Sequence, residues 1–255
     1  MLQYLTPQEI VHHKGLRLVL VQGMPSPWGQ AVKTIFEMKN LDFVVGPLIV
    51  GSTNDELTAW AGENSAPIVA WKDERPIHRW LDILYLAERI APIPALLPDD
   101  ALQRALMIGL SNEICGELGI GWNRRLQLFA PMMDAGSPPE GVVRMSSKYG
   151  YNSADAQRAG RRIAEPLGAL SAQLQAQYAR GVKFFVGEAV SALDIYWVAF
   201  MNLLAPLPKS QCPMPDEWRP GFVATDPQIK AALDPILVEH RDNVFKNYFR
   251  NPMEF

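Results

Sequence analysis

An α/β unit joined to an all-helical one is the fold class that this 255-residue sequence predicts. Three observations predict it. As far as Ile90, runs rich in β-formers alternate with stretches of helical apolar spacing; Ala91-Pro92-Ile93-Pro94 and Pro98-Asp99-Asp100 then form a proline-rich break; beyond that break the apolar periodicity is helical throughout. With 48% of its residues apolar the chain can bury a substantial core, and its length allows two small domains. The boundary falls near residue 95, giving an α/β domain over 1–94 with a short helical extension at its start, and an all-helical bundle over 95–255.

Each element has its own signal. Thr6-Pro7-Gln8-Glu9 supplies a capping hydroxyl, a proline at the first helical position and a glutamate three residues after the cap, so a short helix comes first. Leu16 to Val21 reads as a buried strand, and Trp28, Ala31, Val32, Ile35 and Phe36 then follow the spacing of a helix with one buried face. Phe43 to Val50 is a second β-rich run, Asn54 to Trp60 a short helix, and Pro67 to Trp71 a third strand. A short run Arg75 to Ile77 leads into a helix from His78 to Ile90, with Trp80, Ile83, Leu84 and Ala87 on one face. In the second domain, helices are predicted over Ala101–Leu128, Ser153–Arg180 with Pro166 as a kink point, and Ser191–Leu204. Pro131–Asn152 and Pro206–Asp226 read as connections, rich in Pro, Gly and Ser or in Pro alone. The aromatic run Val244 to Arg250 reads as a docked tail.

Composition excludes several classes. A net charge of −3 with no basic run lacks the electrostatic footprint of a nucleic-acid binder or of a protein drawn to anionic membranes. Cys115 and Cys212 are the two cysteines, far apart and in no C-x-x-C spacing, which argues against a disulfide framework, a zinc site and a dithiol redox centre. His12 and His13 have no acidic or cysteine partner at ligand spacing and read as the polar end of the first helix, so no metal is expected. The start lacks a basic region followed by an apolar stretch, and no apolar run approaches the roughly 20 residues that span a bilayer, so a cytoplasmic protein acting on a small molecule is expected.

The junction Gly23-Met24-Pro25-Ser26-Pro27-Trp28-Gly29 is the candidate reaction centre. A serine just ahead of Pro27 sits where a helix leaves its first amides unpaired, so hydroxyl and positive helix end can face one anion together. The plainer reading is a helix cap, a role that serine favours.

Ser26-Pro27-Trp28-Gly29 resembles the active-site turn of the serine- and cysteine-dependent classes of the glutathione transferase superfamily. Ser65-Ala66-Pro67-Ile68-Val69 resembles the family's cis-proline segment, whose preceding residue pairs its backbone with the cysteinyl part of glutathione. Gly187 with Ser191-Ala192-Leu193-Asp194-Ile195 resembles its buried helix cap. The resemblance spans nearly the whole chain and implies a thioredoxin-like N-terminal domain, an all-α helical-bundle C-terminal domain and a homodimer.

It also implies roles. Ser26 would be catalytic, donating a hydrogen bond that favours the glutathione thiolate; Trp28, Ala66, Pro67, His78 and Arg79 would line the glutathione site. Asn112, Cys115 and Trp122 would lie around an apolar electrophile, although Cys115 on an apolar face also reads as core packing. Ser191 and Asp194 would form the structural cap. One departure stands out: where the family has Glu-Ser or Gln-Ser for the γ-glutamyl end of glutathione, this chain has His78-Arg79. The acid and the hydroxyl are both missing, and Arg79 suits a carboxylate through paired donors. Three readings follow: a detoxifying transferase with glutathione as cosubstrate, a non-catalytic binding or scaffold protein on the same fold, and an enzyme for another acidic cosubstrate.

Overall fold

The computed structural model describes residues 2–255, which divide into two compact units. One holds the chain as far as Ala95 together with Pro208–Met214 and Tyr248–Phe255; the other holds Leu96–Leu207 and Pro215–Asn247. The two short segments that rejoin the first unit lie in the stretch read from sequence as part of the second.

The first unit opens with α1 (Pro7–His12), whose reciprocal cap is complete: Thr6 accepts from the Glu9 amide at 3.2 Å and the Glu9 carboxylate accepts from the Thr6 amide at 2.7 Å. β1 (Leu16–Val21) follows, then α2 (Pro27–Met38), β2 (Phe43–Leu48), α3 (Asp55–Ala61), β3 (Ile68–Trp71) and α4 (Trp80–Ile90). The sheet order is β2-β1-β3, with β1 parallel to β2 from Leu16↔Phe43 to Val21↔Leu48 and antiparallel to β3 from Leu16↔Trp71 to Val19↔Ile68. The expected run at Arg75–Ile77 contributes only a bridge, Val69↔Ile77. Helices pair across the unit as α1 with α3 and α2 with α4. Ile10 of α1 packs with Val19, Leu48, Leu57 and Ile68, and a Cβ on Gly46 would sit 2.8 Å from its side chain, so only glycine lets β2 accept α1 this closely.

The second unit is all helical: α5 (Ala101–Cys115), α6 (Ile120–Asp134), α7 (Glu140–Lys148), α8 (Ser153–Ala179), α9 (Ala192–Met201), α10 (Arg219–Phe222), α11 (Pro227–Ala232) and α12 (Pro235–Tyr248), the last ending where the first unit resumes. Every residue of α9 is buried, and α5 packs on it. The single helix predicted over Ala101–Leu128 is two, broken at Gly116–Gly119. The backbone crowds there: Cβ atoms would fall 2.1 Å from Asn112 Oδ1 at Gly116 and 2.7 Å from the Glu113 carbonyl at Gly119, and Leu118 takes a left-handed φ of 64°. Pro131, read as the start of a connection, lies inside α6, and α7 occupies much of the rest of that stretch. Pro166 lies within a continuous α8. The Pro206–Asp226 stretch contains the short α10.

Candidate active site at the head of helix α2

β1 ends at Val21, and Gln22 continues its pairing by donating to the Leu48 carbonyl at 3.1 Å. The turn is then carried by Gly23, whose φ of 73° suits glycine. Ser26 takes an extended φ of −59° and ψ of 121°, Pro27 opens α2 at the position where its missing N–H costs nothing, and the Ser26 carbonyl accepts from the Gln30 amide at 2.9 Å. The Ser26 backbone therefore caps the helix, but its hydroxyl makes no capping hydrogen bond. No acidic residue occupies the first turn, so the positive helix end is not neutralised there. Close packing fixes this start over the sheet, since a Cβ on Gly29 would meet the Leu20 side chain at 2.9 Å. Trp28 is half-buried beside the turn.

Strand directions bring the other first-unit residues to the same end of the sheet. Because β3 runs antiparallel to β1, its start lies beside the end of β1. The Ala66-Pro67 peptide is cis there, and the ladder with β1 stops at Val19↔Ile68, which leaves Ala66 beyond it. The Val69↔Ile77 bridge turns the chain back, so His78 and Arg79 return to this end at the head of α4. His78 Nε2 lies 3.1 Å from Glu63 Oε1, and its Nδ1 is buried without a partner. Arg79 is exposed at the cap position of α4 and makes no side-chain hydrogen bond there.

The three residues placed around an electrophile lie on α5 and α6 of the second unit. Asn112 is exposed on α5. Cys115 is 3% exposed with its thiol donating to the Ser111 carbonyl at 2.9 Å, and burial pushes that thiol well above its ordinary pKa, which makes it a packing residue. Trp122 is half-buried on α6, donates from Nε1 to the Tyr149 carbonyl at 3.0 Å and meets the Tyr149 ring edge-on. At the head of α9, Asp194 Oδ2 accepts from the Ser191 amide at 2.8 Å and hydroxyl at 2.9 Å, while Oδ1 accepts from the Phe185 amide at 3.1 Å and faces His240 Nε2 at 2.8 Å.

Sequence reasoning missed two residues of α2. Gln30 and Lys33 are 2% and 1% exposed, on the same side of the helix as Ser26. Lys33 reaches Glu37 at 3.8 Å, and burial pushes its pKa down. The signal was present in the i, i+4, i+7 spacing, but a reading that follows only apolar positions passes over polar residues on the same stripe. Among the described residues no group of three or more His, Cys, Asp or Glu is placed to hold a metal ion, and no helix is long and apolar enough to cross a membrane.

No protein-family model and no curated protein matches the chain. Solved structures do. A glutathione S-transferase from Methylobacillus flagellatus with glutathione bound superposes with a TM-score of 0.63 at 15% identity, over 94% of this chain and 100% of that one. A rice glutathione S-transferase in complex with glutathione gives 0.62 at 19%, over 94% and 93%. Maleylpyruvate isomerase from Pseudomonas aeruginosa gives 0.53 at 19%, over 91% and 93%. A thioredoxin-like unit and a helical unit, matched over almost their whole length by such structures, give this chain the glutathione S-transferase fold.

Proposed function

We propose that the chain is a member of the glutathione S-transferase superfamily that uses Ser26 to hold a glutathione thiolate for attack on an apolar electrophile. The observation that carries this reading is the Ser26 hydroxyl: it stands at a helix head and caps nothing. A hydrogen bond to a charged sulfur is worth about 1.5 to 3 kcal/mol, which at about 1.4 kcal/mol per unit lowers a thiol pKa by about one to two units. From about 8.5 for a free thiol that makes thiolate the main species near neutral pH. The uncancelled helix end adds to the same effect. Ala66, beyond the β1 ladder, has the backbone to pair with the extended cysteinyl part, and Trp28 borders it. Conjugation transfers the sulfur electron pair to the electrophilic carbon, and the leaving group or a proton from water completes the balance.

The exposed, uncommitted Arg79 favours a second reading, in which the cosubstrate is another thiol or acid whose carboxylate pairs with the guanidinium. A homodimer is part of the proposal; Tyr85 on α4 at 45% exposed, and Leu102 and Leu106 on α5 at 82% and 42%, are apolar surface of the kind a second copy covers. A cytoplasmic site of action accords with two buried cysteines, Cys115 and Cys212, that form no disulfide.

Calorimetric titration with reduced glutathione at neutral pH tests the first reading. Saturable binding at millimolar affinity or better, with the bound thiol pKa raised by Ser26→Ala, sustains it. No binding by the wild-type protein rejects it and leaves Arg79→Ser to decide the second, which requires that substitution to abolish carboxylate binding.

A further inference from the structure

Beneath the Ser26 turn, α2 buries polar side chains that packing alone does not call for. Burying an amide and an ammonium on one helix face is costly unless partners are supplied. Lys33 finds Glu37 on its own helix, whereas the partner of Gln30 comes from the segment 248–255, far along the sequence but within the same compact unit. Gln30 donates from Nε2 to the Glu254 carbonyl at 3.1 Å. Arg250 lies 3.3 Å from Glu37 Oε1 through Nε and 2.6 Å from Glu254 Oε2 through Nη1. Met253, 2% exposed, ties the segment to its neighbour by donating to the Gln211 carbonyl at 2.8 Å.

Gln30 is held at both ends. Its backbone N–H donates to the Ser26 carbonyl at 2.9 Å while its side chain holds the segment. We infer that Gln30 and the segment 248–255 form a positioning latch that fixes the head of α2 and so sets where the Ser26 hydroxyl stands. Gln30 touches no reacting atom; it acts through the first turn. The inference rests on the Ser26 reading for its chemical consequence, since a sulfur–hydroxyl hydrogen bond weakens steeply with misplacement of either atom.

The test uses the full chain with Gln30→Ala, Arg250→Gln and Arg250→Lys. Thiolate absorbance of bound glutathione is followed against pH, and glutathione affinity is measured by calorimetry. Gln30→Ala and Arg250→Gln should each raise the bound-thiol pKa by about one unit, or lower the thiolate-to-thiol ratio about tenfold, with affinity within about threefold of wild type. Arg250→Lys, which keeps the charge, should restore most of the shift. Arg250 is half-exposed, so Arg250→Gln decides the matter if Gln30→Ala fails to fold. An unchanged thiol pKa in glutathione-binding variants overturns the latch. If wild type does not bind glutathione, the Ser26 chemistry falls separately. The latch is then judged by hydrogen exchange in the first turn of α2: about tenfold faster exchange sustains it, and unchanged exchange overturns it.

Discussion

Two serines stand at helix heads in this chain, and they are used in opposite ways. The Ser191 hydroxyl and amide both donate to the buried Asp194 carboxylate, which also takes the Phe185 amide and faces His240. All of its capacity is turned inward. Ser26 meets its helix through the backbone alone, and its hydroxyl makes no capping bond. The same residue at the same position commits its oxygen to a buried carboxylate in one helix and makes no capping bond in the other, which is what the proposed chemistry at Ser26 requires. Residue type and helix position together therefore cannot assign the role; the hydrogen-bond inventory does.

The largest effect that would sharpen this contrast is Asp194→Ala. It strands several buried donors at once, and we expect a loss of about 3 to 5 kcal/mol in denaturant unfolding. Ser191→Ala removes one partner of that carboxylate and should cost about 1 kcal/mol. Ser26→Ala should cost less than about 0.5 kcal/mol, because no capping bond is lost, while shifting the bound-thiol pKa as described above. Equal stability losses from the two serine variants would break the comparison. The smallest effect concerns Asp234, at the head of α12, whose carboxylate accepts from Ser171 Oγ at 2.6 Å, Gln175 Nε2 at 2.9 Å and the Ile236 amide at 3.0 Å. These bonds, that from Ser171 first, hold its pKa below the ordinary value. With the folded pKa lowered, the stabilisation is present above the unfolded carboxylate range and is lost as pH falls through the lowered value. Acid titrations should show Asp234→Asn unfolding with a weaker dependence on pH in that window; an identical profile would mean the bonds form equally with the neutral acid.

Legibility followed the reach of the signal. The first helix could be read because its cap is local, Thr6 and Glu9 satisfying each other across three residues. β1 could be read to its ends because six consecutive residues carry the buried-strand pattern. The break at Gly116–Gly119 was hidden because apolar spacing resumes on its far side, and only the Gly-x-x-Gly pair marked a backbone approach too close for a side chain. Pro131 misled in the other direction: proline weakens a helix locally, but burial of the α6 and α8 faces against each other outweighs that loss. At the candidate site, Ser26, the cis peptide before Pro67 and the His78-Arg79 pair could be located, since each is marked by its own short motif. For Cys115 the sequence left pocket and core packing both open, because exposure is set by neighbours from other helices, and the side chain is buried. The spacing of Gln30 marks its face of α2 but not its partner, which lies 224 residues away.

The Lys39 ammonium closes α2 at its other end. Nearly fully buried, it donates to the carbonyls of Ala91 at 2.8 Å and Pro94 at 2.7 Å and pairs with Glu88 at 2.9 Å. Two of its three acceptors belong to the main chain, which every amino acid carries. Residues 91–94 can therefore change identity over generations without loosening their attachment, provided the path of the backbone is kept, whereas replacing the one lysine releases it. A conserved grip on a drifting connection would leave little trace in the connection itself, and the place to look for it in divergent relatives is the last turn of the helix that begins at the serine.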